Sequence, residues 1–416
     1  MSRRQGWGGL AWRWVPQQRR SVWLCAVLVA VFATFLIGVV RVNASPTGRP
    51  PFGDFFALWS YARIVLHQPA ADLYDPALLH QVQVALGMPP GDENPFPYPP
   101  TFLLLVWPIG LLPFWAAYLA WIGATLLAAL LATCAGAGAG TGARAATAAA
   151  MLLAPSTAAC LASGQSGFLL AALLVGGLRL AGPRPALAGL LFGLLTYKPQ
   201  FGLLVPLALV AAGRWRCIAA ACVTTAGLVA LDTVVLGRGI WAAWWRSLPG
   251  YMAVFDRDTA ANRTIPTVLG NVQALGVPHG VAQAVQVLAA LAAAAAVWAA
   301  WRRPGPFAVP ALLAATCLAT PHAFLYDLPL LSAGALLFAG QRLRTRGALV
   351  LPEVAVLAGV LAMPVGMTLQ GAPIPLSTIT TGLFLALAVA AGREEGKVEA
   401  LPQTPPKARL WNPILQ

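Results

Sequence analysis

Apolar runs recur along most of this chain, and each is too long or too closely followed by the next to be an ordinary loop. They lie near 21–42, 101–135, 145–161, 166–182, 185–197, 199–213, 217–236, 281–301, 306–320, 325–340, 348–366 and 374–391. A bilayer core about 30 Å thick needs about 20 apolar residues of helix to span it. Only 10% of the 416 residues are charged and 59% are hydrophobic, where a soluble domain carries roughly 25% charged residues. So few charges cannot coat a soluble surface of this size. The expected fold is an all-α integral membrane protein, a multi-span bundle of about 12 transmembrane helices. The stretch 101–135 is broken by Pro108 and Pro113, and it reads as one crossing with a re-entrant start.

The charges that remain are distributed unevenly. There are 27 Lys+Arg against 13 Asp+Glu, a formal net charge of +14. In a soluble protein that excess points to nucleic acid; here it follows the positive-inside rule. The run 21–42 follows Arg3, Arg4, Arg13, Arg19 and Arg20 and is too long for a signal-peptide core. It reads as a signal anchor with its N-terminus in the cytoplasm. Threading the chain from there puts Arg144, Arg179, Arg184, Arg214, Arg216, Arg302, Arg303, Arg342, Arg344 and Arg346 in inner turns, while most acids fall outside. No nucleic-acid partner is implied. Both termini are expected in the cytoplasm of a multi-pass protein of the cell (inner) membrane. Residues 1–20 form a basic arm, 21–392 the transmembrane domain, and 393–416 a polar, flexible tail. The long segments, about 43–100 and 238–280, are both external, so the elaborated face looks to the periplasm or exterior. The six Cys lie in apolar stretches and the four His are scattered. Neither set has metal-ligand spacing, so no metal or cofactor is called for.

Six polar sites punctuate the apolar chain, and the topology puts all of them on the outer face. Asp54 precedes Phe55–His67, whose apolar positions Phe55, Leu58, Trp59, Ala62 and Leu66 suit an interfacial amphipathic helix. A carboxylate among aromatics near lipid has the setting for a raised pKa and general-base work; it also suits a helix N-cap. Asn94–Pro100 is a rigid, proline-rich approach to the next span, with Tyr98 as a site residue or a belt anchor. Ser163–Ser166 is a polar break in which Gln165 offers donor and acceptor, or simply a turn. Tyr197-Lys198-Pro199-Gln200 puts a cation on the face where cations are scarce, either to hold a phosphate or to snorkel. The loop 251–271 carries Arg263, a phosphate clamp or a solvated ion-pair partner. Thr320-Pro321-His322 is followed by Tyr326-Asp327; His322 can bond a phosphate or sugar hydroxyl with Asp327 to orient it, or be a satisfied boundary histidine.

A carboxylate, phosphate-capable cations and sugar-capable amides at one membrane boundary suit group transfer from a lipid-linked phosphate to an acceptor hydroxyl. The rival class is a multi-span transporter or flippase of a lipid-linked or small polar substrate. No pseudo-symmetric halves favour it.

At these residues the chain resembles glycosyltransferase family 87, polyprenol-phosphate-mannose-dependent mannosyltransferases of the GT-C fold. The matching pieces are Gly53-Asp54-Phe55 with Tyr61-Ala62, Leu73-Tyr74-Asp75, Phe96-Pro97-Tyr98-Pro99-Pro100, Gly164-Gln165, Lys198-Pro199-Gln200, and Pro321-His322 with Tyr326-Asp327. The resemblance implies a GT-C-type bundle with outer-face interfacial helices. It implies a polyprenyl-phosphate-linked mannose donor, an inverting displacement and a lipid or glycan acceptor. Asp54 then matches the family's first-loop base. Lys198, His322 and Arg263 become donor-phosphate residues, with Gln165, Gln200, Tyr61, Tyr98 and Asp327 lining the same site.

Overall fold

The computed structural model describes residues 53–136, 140–257, 265–369 and 376–399. The basic arm, the 21–42 run, Arg263 and the end of the tail lie outside the described residues. Every described regular element is helical. In chain order the longer ones are α1 (Gly53–His67), α2 (Pro76–Ala85), α3 (Phe114–Cys134), α4 (Thr141–Leu152), α5 (Pro155–Ser163), α6 (Gly167–Leu180), α7 (Pro185–Leu194) and α8 (Val205–Ala211). There follow α9 (Trp215–Val235), α10 (Ile240–Arg257), α11 (Val268–Ala274), α12 (His279–Trp301), α13 (Ala308–Ala319), α14 (Pro329–Arg346), α15 (Leu351–Leu369) and α16 (Leu376–Glu399).

Each apolar run from 101 onward falls on a helix or helix pair, but the runs do not all become full spans. Among the described residues, four helices are long and apolar enough to cross a membrane: α3, α9, α12 and the Leu376–Gly396 part of α16. A fifth crossing results if α4 and α5, bent by 55°, count as one. Pro155 starts α5 at the bend, where a missing N–H is no loss. Others are short. The 14 residues of α6 reach about 21 Å and the 12 of α13 about 18 Å, at 1.5 Å per residue. Stretch 100–111 is a chain of short helical turns, with Pro108 in the first turn of the last one and Pro113 just before α3. The tail differs from expectation, since α16 continues through Arg393 to Glu399.

Burial sorts the helices. Almost every residue of α13 and α6 is buried, as is the first half of α14, so these form the centre. The outer helices α3, α9 and α12 carry large exposed apolar side chains, among them Leu119, Val223, Val234 at 82% exposure, Leu288 and Leu291. Such a surface suits lipid, not water. Close backbone approach holds α7 on α9. A Cβ on Gly189 would come within 2.3 Å of Ala220 Cβ, and one on Gly193 within 2.4 Å of Thr224. Small residues four apart are the usual device where lipid supplies no hydrophobic drive between helices.

The first helix departs from the interfacial reading. Phe55, Phe56, Ala57, Leu58, Ser60, Tyr61, Ala62 and Ile64 are all buried, so α1 is sunk in the bundle, not half wet. Apolar residues 55–58 are consecutive and cover every face of the first turn, which no amphipathic stripe does. The loop segment around Gly110 presses against it; a Cβ there would lie 2.6 Å from the Ala62 backbone.

Candidate active site

Helix breaks bring the polar residues together. Each short helix stops where an apolar run is interrupted by a polar motif: α5 at Ser163, the turn after α7 at Tyr197, and α13 at Ala319. Non-helical backbone at membrane depth is tolerated where protein or a cavity surrounds it. Here the breaks converge on one cavity of about 490 Å³. Asp54, Ala57 and Tyr61 of α1 form one side, and Asn94, Pro95, Pro97, Tyr98 and Pro99 a second. Gln165, Tyr197, Lys198 and Gln200 form the floor, with His322, Phe324, Tyr326 and Asp327 beside them. Trp244, Leu248 and Tyr251 of α10 close it. Eight of the predicted residues thus share the cavity: Asp54, Tyr61, Tyr98, Gln165, Lys198, Gln200, His322 and Asp327.

Asp54 sits in the first turn of α1, where the helix dipole favours an anion. Burial nevertheless dominates and pushes its carboxyl up to about 6; the positive charge of Lys198 works against that and the negative charge of Asp327 adds to it. The group is therefore poised between its two protonation states near neutral pH. Asp327 pairs with Lys198. Its Oδ1 receives Lys198 Nζ at 2.6 Å, with both side chains 5% exposed or less, and its Oδ2 accepts from the Phe324 N–H at 3.1 Å. Lys198 also lies 5.1 Å from the Tyr326 ring centre and 5.8 Å from that of Phe201. An ammonium has three donors, and Asp327 occupies one.

Tyr98, Gln165 and Tyr197 are held from behind. Tyr98 Oη donates to Gln165 Oε1 at 3.2 Å, and Tyr74 Oη donates to the Tyr98 carbonyl at 3.0 Å. Tyr197 Oη donates to the Ser166 carbonyl at 3.1 Å. Tyr98, Phe102 and Tyr197 stack, with centroids 4.2 and 5.2 Å apart along the row. The turn 164–167 is wedged between the two acidic elements. Gly164 has φ +68°, and a Cβ there would meet Phe55 Cβ at 2.4 Å; a Cβ on Gly167 would sit 1.6 Å from the Tyr326 carbonyl oxygen. Among the described residues no three His, Cys, Asp or Glu side chains gather as a metal site.

Sequence reasoning missed part of this wall. Trp244, Leu248 and Tyr251 are spaced i, i+4, i+7, a one-face pattern that was available to be read. Trp244 Nε1 donates to the Pro97 carbonyl at 3.4 Å, which ties α10 to the proline strand. Gly167 carried no local signal, because what it must clear lies at residue 326.

A model of glycosyltransferase family 87 matches residues 96–321, just over half of the chain. The chain belongs to glycosyltransferase family 87. No curated protein and no solved structure matches it. As a family 87 member it is a membrane glycosyltransferase, with a sugar donor and an acceptor to accommodate. The matched residues take in Tyr98, Gln165, Lys198 and Gln200 of the cavity; Asp54, His322 and Asp327 lie outside them.

Proposed function

We propose that the protein transfers a hexose, mannose by the family resemblance, from a polyprenyl-phosphate donor to an acceptor hydroxyl, with inversion at the anomeric carbon. One observation carries this reading. A single cavity joins a carboxylate lifted to about 6 with a buried lysine, a histidine and hydrogen-bonding amides, at the ends of broken membrane helices. Asp54 takes the acceptor proton as the acceptor oxygen attacks C1. The bond from C1 to the phosphate oxygen breaks, and its electron pair leaves with the polyprenyl phosphate. Lys198 and His322 receive the charge that grows on that phosphate. Asp327 holds Lys198 in place, while Gln165, Gln200 and Tyr98 bond sugar hydroxyls. Tyr61 serves chiefly by its donation to the Pro95 carbonyl at 2.7 Å. Arg263 is proposed as a further phosphate clamp. The site opens to the periplasm or exterior, and the prenyl tail lies among the membrane helices.

The test compares purified wild type with Asp54→Asn in transfer from labelled polyprenyl-phosphate-mannose to a host membrane extract. Wild type is expected to form product, and Asp54→Asn to lose about 10²–10⁴-fold, the usual worth of a general base. Equal product from both moves the base elsewhere. Absence of both product and donor binding removes this donor.

A further inference from the structure

We propose that a cavity at the far end of α13 from the active site binds a membrane phospholipid with a phosphoethanolamine headgroup. Arg303 and Arg393 take the phosphate, and Glu395 takes the ammonium. The cavity measures about 800 Å³, within the usual range of about 300–1,000 Å³ for ligand sites. It lies between the ends of α12 and α16 and the turn 302–307 that leads into α13. Ala308, the first residue of α13, lines it, whereas the last, Ala319, stops just before His322 of the active site. The 12 residues of α13 separate the two spaces by about 18 Å. The lipid reading does not depend on which donor or acceptor the active site takes.

Sequence spacing builds the walls. On α16, Ala388, Gly392 and Glu395 follow i, i+4, i+7, and Val389, Arg393 and Gly396 repeat that spacing one residue on, so all six share a face. On α12, Ala299 and Ala300 line the cavity a turn before Arg303. The space is therefore apolar toward the middle of both helices and charged toward their ends. Both helices are long and apolar enough to cross a membrane. The change from apolar to charged thus follows the order from acyl chain to headgroup in a bilayer leaflet. The turn 302–307 is fixed in place. Trp301 Nε1 donates across it to the Ala308 carbonyl at 3.0 Å. Phe307 is buried, with the Arg342 guanidinium carbon 4.9 Å from its ring centre.

The charged groups select the headgroup. Basic pockets between membrane helices hold lipid phosphates, and arginine does so through paired N–H donors. Arg303 and Arg393 come from different elements and line one space. Glu395 lines it too, so a purely anionic headgroup would meet a second negative charge. Its Oε1 is enclosed and accepts no hydrogen bond among the described residues, and an enclosed acceptor without a donor is costly. The neighbouring Glu394 is the carboxylate used by the adjacent clamp, with Arg342 at 2.9 Å and Arg346 at 2.7 Å. Phosphoethanolamine carries a phosphate and an ammonium with three N–H donors a few atoms apart, and it meets both needs at once. A choline headgroup has no N–H to give, and a glycerol headgroup has no cation. Ala299, Ala300, Ala388 and Val389 pack on the glycerol backbone and the first methylenes. The bound lipid joins the end of α12 to the end of α16.

The experiment uses the purified, delipidated full chain in detergent and reads lipid binding by native mass spectrometry and by thermal midpoint. The probes are phosphatidylethanolamine, phosphatidylcholine and phosphatidylglycerol with the same acyl chains, and glycerophosphoethanolamine as the chain-free headgroup. Wild type is expected to bind phosphatidylethanolamine at least about tenfold more tightly than either other lipid, with a raised thermal midpoint. Arg303→Ala/Arg393→Ala should lose at least about tenfold of that affinity. Glu395→Ala should bind phosphatidylethanolamine and phosphatidylcholine alike. Arg302→Ala is the control, since Arg302 is exposed beside the cavity and does not line it; it should bind like wild type. The altered side chains are exposed or half-exposed, so lipid-free midpoints should match wild type and separate lost lipid from lost fold. Phosphatidylcholine or phosphatidylglycerol bound by wild type as tightly as phosphatidylethanolamine overturns the proposal. So does a preference that survives Glu395→Ala, or an equal loss in Arg302→Ala and the double variant. Glycerophosphoethanolamine bound as tightly as the whole lipid also overturns it, because the apolar wall would then hold no acyl chain.

Discussion

Asp54 and Lys198 carry opposite kinds of residue-level constraint. Burial lifts the Asp54 carboxyl to about 6, so the folded protein holds the proton more tightly than free aspartate does. A base must be unprotonated, and the active fraction therefore rises with pH through about 6 and falls roughly tenfold per unit below it. A transfer profile half-maximal near pH 6 is the expected outcome; a half-point near pH 4 would show that burial does not govern the working base. Asp54→Asn removes a charge the site disfavours, so its thermal midpoint should match or exceed wild type while transfer collapses, the stability–activity trade seen where sites hold unfavourable groups. Lys198 behaves the other way. Lys198→Met strands Asp327 as a buried, unpaired carboxylate, and losing one partner of a buried pair costs about 3–5 kcal/mol. Thermal unfolding should show most of that loss recovered in Lys198→Met/Asp327→Leu, with transfer still absent.

At the scale of the element, glycines separate turns that are packed to contact from helix surfaces that are open. Gly167→Ala drives a methyl into the Tyr326 carbonyl, so the 164–167 turn or the 325–327 turn must move. The expected cost is about 1–3 kcal/mol or more, with the donor KM rising because Gln165 and Asp327 are displaced together. Gly123 in α3 is the control: a Cβ there meets nothing within 4 Å. Gly123→Ala should stabilise by about 0.5–1 kcal/mol and leave kinetics alone. Melting both variants in the same detergent checks the pair. If Gly167→Ala proves as mild as Gly123→Ala, the two turns are not packed as described.

Among the described residues, two buried ion-pair centres lie at opposite ends of α14. One is Lys198–Asp327. The other gathers Arg342 against Glu353 at 2.7 Å and Glu394 at 2.9 Å, with Arg346 on Glu394 at 2.7 Å. Arg342 is also packed over the rings of Phe307 and Phe338. This second centre clamps α14, α15 and α16 where sequence topology expects the inner face. Asp327 and Arg342 are 342 − 327 = 15 positions apart along α14 and its leading turn, which puts the two centres about 22 Å apart. Glu353→Ala leaves Arg342 with the half-exposed Glu394 alone and should cost about 3–5 kcal/mol. Because distant sites act independently, donor and acceptor KM should stay at wild-type values in the protein that remains folded. A matching rise in either KM would mean that the clamp shapes the cavity.

Helix content, the positions of the apolar elements and the polar residues 54, 61, 98, 165, 198, 200, 322 and 327 were legible because each is a local property. An apolar run makes its own backbone bonds as a helix, and a polar interruption marks where that helix stops. The other features belong to pairs of distant residues. Lys198 and Asp327 are 129 positions apart, and no spacing rule says that a cation read as phosphate-facing already has a carboxylate on it. The burial of α1, the need for glycine at 167 and the cavity between the ends of α12 and α16 each depend on which segments pack together. Hydrophobic pattern dictates that these helices form and pack, yet packing is non-directional. Only the tertiary arrangement decided that the broken ends meet around Asp54 and that a separate space opens at the other end of α13.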